Sequence, residues 1–294
     1  MSSPQDLKDL RATKDFFIGI DSDGCVFDSM EPKQKECFCP AFINNFNLQC
    51  ISKYAREAWE FVNLYSQDRG CNRFHAVIKT LDLLRERTEV KKRGAKIMEL
   101  PLLKAWTQRE SKLGNPTLKA ELDKTGAAEL KVVYRWSLDV NEAVEKIVRD
   151  VPPFPLFRES LDKMIVRADV IVVSQTPTEA LVREWAQLGV DKLVRFIAGQ
   201  ELGTKSDHLC FAAKDKYPAN RILMIGDAPG DLKAAKSVGA LFYPVIPGNE
   251  DESWRRFHDE ALDKFFAMSY EGTYQEALLA EFKKSLPEKA AWQV

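Results

Sequence analysis

Short apolar runs rich in β-branched residues recur at residues 16–20, 170–173, 194–198, 222–225 and 241–245. Each has the length of a buried strand, and most are followed by Gly, Ser or Asp. From residue 170 onward the runs alternate with helical patterns, which predicts βαβ units and a parallel sheet. Between about residues 32 and 151 strand signals are few, and apolar residues recur at helical spacing. Ile51, Tyr54, Ala55, Ala58, Val62 and Tyr65 share one face, and Phe74, Val77, Ile78, Leu81 and Leu84 share another. Val140, Ala143, Val144, Ile147 and Val148 make a third stripe, whose start is marked by Asp139 with Glu142 three residues on, a capping-box pattern. These stripes are expected to pack helix against helix.

Val151, Pro152, Pro153, Phe154 and Pro155 form a stiff extended segment suited to a hinge. The expected architecture is therefore an α/β core interrupted after its first strand. Residues 1–30 and 152–294 would form a Rossmann-like parallel sheet in three α/β/α layers, and residues 31–151 an all-helical insert. Residues 251–294 read as helical and are expected to pack back on the core.

Composition adds mainly exclusions. The chain has 294 residues, enough for one large domain or two smaller ones. Lys and Arg number 43 against 44 Asp and Glu, a net charge of −1, so no global basic field points to nucleic acid or an anionic membrane. No apolar run approaches the roughly 18 residues of a membrane span. The stretch up to Arg11 is polar and carries acids, unlike a signal or transit peptide. The six cysteines form no C-x₂-C pair, and Cys37 with Cys39 lacks a second pair at ligand spacing. They read as reduced thiols of a cytoplasmic protein.

In an open parallel sheet, ligands bind at the carboxyl ends of the strands, so the polar residues closing each apolar run should converge. The first run ends in Asp21-Ser22-Asp23-Gly24. Two carboxylates facing one small site repel unless a cation lies between them, and Mg²⁺ is the natural hard ion. Taken alone, the same residues also suit a surface turn. The fourth run ends in Gly226-Asp227 with Asp231 four residues on; an acid at 231 also suits a helix first turn, a reading that does not cover Asp227. The second run ends in Ser174, followed by Gln175, Thr176, Pro177 and Glu179. Thr176 with Glu179 reads as a capping box with Pro177 at the first helical position, and free N–H groups there would favour a phosphate. Lys205 precedes a further helical stretch; a lone lysine is usually solvated.

In this order, the segments resemble the haloacid dehalogenase-like (HAD) superfamily of phosphohydrolases: a strand ending D-x-D-G, a strand ending in Ser or Thr, a Lys, and a strand ending G-D-x-x-x-D. The resemblance covers residues of about 12–30 and 152–250, and it implies that the helical insert is a C1-type cap. It implies an aspartyl-phosphate mechanism with Asp21 as nucleophile and Asp23 as general acid and base. Mg²⁺ would be held by the side chains of Asp21 and Asp227 and the carbonyl of Asp23, with Asp231 supporting the metal or Lys205. Ser174 and nearby N–H groups would hold phosphate oxygens, and Lys205 would neutralise the nucleophile and the transferring group. The dehalogenases of the superfamily lack the second Asp, and its P-type pumps carry Thr in place of Asp23 and need membrane spans. One departure stands out: Cys25 occupies a position where the family usually has Thr, whose hydroxyl would help orient the acid/base.

The expected function is a Mg²⁺-dependent phosphatase acting on a small phosphorylated metabolite. The insert would act as a lid, with Arg69, Asn72 and Arg73 as candidate donors to a second anionic group and Gln175 as a further substrate contact. A phosphoglucomutase-type transferase and a phosphonatase are alternatives; the latter needs a Schiff-base lysine, for which Lys33, Lys35 and Lys53 are available. A non-catalytic binding protein on the same fold is a third, disfavoured by the cost of clustered acids without a metal. His75, His208 and His258 lack ligand spacing and are expected to be structural or exposed.

Overall fold

Five strands form one sheet: β1 (Phe16–Ile20), β2 (Ala168–Val173), β3 (Phe196–Ala198), β4 (Ile222–Gly226) and β5 (Leu241–Pro244), in the order β3-β2-β1-β4-β5. A computed structural model describes residues 3–293. All neighbouring strands run parallel, with Ile20 of β1 beside Val172 of β2 and Ile225 of β4. Every residue of β1, β2, β4 and β5 is buried. Both faces of the sheet are therefore covered by helices, which is why these strands appear as unbroken apolar runs rather than alternating ones. The expected α/β class is the observed one. β3, at one edge, is shorter than the run 194–198 and partly exposed. At the other edge, helix Thr273–Ser285 lies on β5, with Phe282 against Phe242 at 5.7 Å and Gln275 accepting from the Phe242 N–H.

Helix Lys205–Ala212 lies directly on β1. A Cβ on Gly19 would stand 2.9 Å from Leu209, so only glycine admits this approach. The approach carries Lys205, the first residue of that helix, toward the end of β1. The proline segment after residue 151 pairs with the loop that follows β1: Pro153 bridges Phe27, and the Phe154 N–H donates to the Val26 carbonyl at 2.8 Å.

The chain divides into two units, Met1–Asp28 with Pro152–Ser285, and Ser29–Val151 with Leu286–Val294. The second unit is helical. Its core holds Trp59, Trp106, Trp136, Phe42 and Phe74, with Trp59 and Trp136 edge to face at 5.8 Å. Two expectations are corrected here. The third apolar stripe does not open at Asp139. One helix runs from Ala128 to Ile147, because Leu130, Val133 and Trp136 extend the face of Val140 backward, and the Asp139 carboxylate instead accepts from Asn45 at 2.8 Å. The segment 251–294 does not pack wholly with the sheet. Its last part joins the helical unit, where Ala290 enters the core and Trp292 meets Phe61 at 5.6 Å. Among the described residues, no helix is long and apolar enough to cross a membrane.

Candidate active site

In this strand order the chain reverses direction across the sheet between β1 and β4, the point at which open α/β sheets bind ligands. Asp21 and Asp227 are the residues that follow β1 and β4 at that point. The Asp21 N–H continues the ladder to the Ile225 carbonyl at 3.0 Å. Asp231 lies in the first turn of helix Pro229–Ser237, whose carboxylate also caps the Ala228 N–H at 3.0 Å. Gly226 makes this possible, since a Cβ there would fall 2.4 Å from the Asp231 carboxyl carbon. The spacing G-D-x-x-x-D thus folds the second acid back onto the strand end.

Asp21, Asp227 and Asp231 are all buried, and one oxygen of each lies within 4.8 Å of the others. Lys205 joins them, at 2.7 Å from Asp21 Oδ2 and 2.6 Å from Asp231 Oδ1. The Ser22 N–H donates to Asp21 Oδ1 at 2.8 Å. Burial raises the Asp21 carboxyl well above its ordinary range, and Asp231 and Asp227 push the same way against the pull of Lys205. Asp231 is raised by burial and by Asp227, again against Lys205. Burial works against the Lys205 ammonium, but Asp21 and Asp231 outweigh it and hold its pKa above the usual lysine range. Three buried carboxylates and one ammonium leave an excess of negative charge, with a hard oxygen donor set. The residues present therefore fit a small divalent cation.

The loop after β1 is tightly held. The Ser22 carbonyl accepts from the N–H groups of Val26 and Phe27, the Gly24 N–H donates to the Phe27 carbonyl, and Gly24 takes φ 75°. Trp185 donates to the Ser22 hydroxyl at 3.0 Å and Trp254 to the Cys25 carbonyl at 2.7 Å. Asp23, half-buried on this loop, accepts a hydrogen bond from the Thr176 hydroxyl at 2.7 Å. Cys25 is fully buried. Burial raises its thiol well above its usual range, with Asp227, Asp21 and Asp231 adding to the effect, so it stays neutral.

Ser174, buried at the end of β2, accepts the Thr176 N–H at 3.2 Å. The expected capping box does not form. Helix Thr178–Gln187 has Pro177 as its N-cap, without a side-chain cap. Its first N–H and the Thr178 hydroxyl donate to Glu201, at 3.0 and 2.7 Å. A carboxylate from the protein thus already serves the helix start expected to offer its N–H groups to phosphate. Gln175 donates to the carbonyls of Ser174 and Gly203, tying two site loops together. Thr176, read from sequence as a cap, is the residue whose part in the site sequence did not disclose.

Of the four residues expected to contact substrate, Arg69, Asn72 and Arg73 lie in the helical unit. Asn72 caps helix Arg73–Glu86 by accepting the Phe74 N–H at 3.0 Å. Arg73 donates to Ser137 and, at 2.7 Å, to Asn141, and lies over the Phe38 ring; burial lowers its pKa to about 10. Arg69 is buried and donates to the Leu64 carbonyl at 2.9 Å. Of the lysines considered for a Schiff base, Lys53 is exposed. Burial opposes the Lys35 charge, but Glu31 and Tyr65 hold its pKa above the usual lysine range, the opposite of what an amine nucleophile needs. His208 is fully buried; His75 and His258 are surface or half-buried residues.

No protein-family model matches the chain, and no curated protein matches it. Solved structures similar to it include a hydrolase from Pseudomonas syringae, 16% identical over 82% of this chain and 90% of that one, with a TM-score of 0.46. A predicted phosphoglycolate phosphatase from Haemophilus somnus is 15% identical over 79% and 86%, with a TM-score of 0.45. A haloacid dehalogenase-like family hydrolase from Streptococcus pneumoniae is 12% identical over 85% and 93%, with a TM-score of 0.41. At this level of likeness, what the site can do is decided by its own side chains.

Proposed function

We propose that this protein is a Mg²⁺-dependent phosphohydrolase that cleaves a small phosphorylated metabolite through an aspartyl-phosphate on Asp21. The observation that carries the reading is the cluster of Asp21, Asp227 and Asp231 around Lys205 at the reversal point of the sheet.

Asp21 and Asp227, with support from Asp231 and the Asp23 carbonyl, would hold the metal, which when bound neutralises charge on the phosphate and the nucleophile. The Asp21 carboxylate attacks phosphorus, and the ester P–O bond breaks. Asp23 gives its proton to the departing oxygen. Asp23 then takes a proton from water, which attacks the acyl-phosphate, breaks the bond to Asp21 and releases inorganic phosphate. Ser22 and Lys205 hold the Asp21 carboxylate in place through both steps. The Ser174 hydroxyl supplies a donor for a phosphate oxygen. The six unpaired thiols suit a reducing, cytoplasmic compartment.

The test is phosphate release from a panel of phosphorylated metabolites, with and without Mg²⁺, for the wild-type protein and Asp21→Asn. Release should require Mg²⁺ and fall at least about 1,000-fold in the variant. Turnover retained by Asp21→Asn would sink the covalent mechanism, and no release from a broad panel by the wild type would sink the phosphatase.

A further inference from the structure

We propose that Thr176 is a positioning residue for the acid/base step: its hydroxyl fixes the orientation of the Asp23 carboxylate. This rests on the aspartyl-phosphate reading above.

Asp23 has to reach two different atoms in turn, the leaving oxygen and then the attacking water. Its backbone is held by the tight loop after β1, and its side chain is half-buried. The Thr176 hydroxyl donates to its Oδ2 at 2.7 Å. Thr176 is itself anchored at both backbone groups, with its N–H on the Ser174 hydroxyl at 3.2 Å and its carbonyl accepting the Gln200 N–H at 3.1 Å. Gly199 closes the far side, where a Cβ would stand 2.7 Å from the Thr176 carbonyl oxygen. The hydroxyl is thus a fixed reference point. The bond from this hydroxyl restrains rotation of the Asp23 carboxylate. The loop after β2 supplies this hydroxyl.

The experiment compares the first turnover of wild type, Thr176→Val and Thr176→Ser on two substrates with Mg²⁺ present: p-nitrophenyl phosphate, whose leaving group needs little protonation, and an alkyl phosphate that the wild type cleaves. In Thr176→Val the first turnover of the alkyl phosphate should slow by about 10–100-fold, the share of general acid catalysis lost when the acid is misaligned. KM should stay within about twofold of wild type, since no phosphate-binding group is removed. The nitrophenol burst should keep nearly its wild-type rate, followed by a slow steady state as the phosphoenzyme accumulates. Thr176→Ser should restore both steps. The proposal is overturned if Thr176→Val matches wild type on the alkyl phosphate, if both leaving groups slow equally in the first turnover, or if Ser fails to rescue. If the wild type forms no phosphoenzyme or Asp21→Asn turns over, the covalent reading itself falls and takes this role with it; those controls separate the two failures.

Discussion

Asp227 contributes a buried negative charge to a site that already holds Asp21 and Asp231, and it raises the cost of ionising both. Such an arrangement trades stability for function. Replacing Asp227 with Asn keeps the shape and removes one repelling charge. In metal-free protein this variant should be more stable than wild type by about 1–2 kcal/mol. Added Mg²⁺ should raise the melting temperature of wild type but leave Asp227→Asn nearly unchanged, because ligand binding stabilises only what binds. Thermal unfolding with EDTA and with Mg²⁺ checks both halves. A variant that melts below wild type in EDTA would mean that Asp227 is structural rather than costly.

Among the elements, β2 is anchored at its start by a residue remote from the chemistry. Asp169 is buried and accepts from the Thr13 N–H and hydroxyl, the Lys14 N–H, Arg195 and the Tyr217 hydroxyl, all between 2.5 and 3.1 Å. Burial opposes its charge, but the bonds from Thr13, Tyr217 and Arg195 prevail and hold its pKa at about 2, below the ordinary 3.8. A depressed carboxylate stabilises the fold above its unfolded pKa, and the contribution disappears as pH falls through the folded one. Asp169 should therefore contribute about 2 kcal/mol at neutral pH, lost between pH values of roughly 4 and 2. Asp169→Asn should lower stability at pH 7 and flatten its decline over that window in urea unfolding; an unchanged acid limb would refute the assignment. The strands that β2 joins were legible because both their faces are buried, which leaves solid apolar runs such as Phe16–Ile20. Strand order was not legible, since it depends on pairings as distant in sequence as Ile20 with Ile225. The same division holds in the site. Asp21, Lys205, Asp227 and Asp231 stood out as polar residues closing or flanking apolar runs. Thr176 did not, because a Thr two residues before a helix looks the same whether it caps that helix or reaches another strand's loop.

At the scale of the whole molecule, the chain leaves the sheet unit after Asp28, returns at Pro152 and leaves again after Ser285, so the helical unit is built from two separate stretches. The second stretch is short, yet it completes a buried polar arrangement. Arg87, only 7% exposed, pairs with Glu57 at 2.5 Å and lies between two rings, Trp292 at 4.4 Å and Tyr54 at 4.6 Å. Leu286 and Ala290 are buried at 1% exposure along the same stretch. Without Trp292 the guanidinium would lose one aromatic face and its ion pair would open to water, which weakens it. Trp292→Ala should therefore destabilise the helical unit by about 1–2 kcal/mol. Ending the chain at Ser285 should cost about 3 kcal/mol, because two buried apolar side chains leave as well. Urea unfolding followed through the buried Trp59 and Trp136 reports on this unit. A double-mutant cycle with Arg87→Met decides whether the stacking matters energetically. Coupling of about 1 kcal/mol would make the tail a functional part of the helical unit's core. Additive effects would mean that Trp292 stabilises by burial alone, and that the cation between the rings owes its place to Glu57.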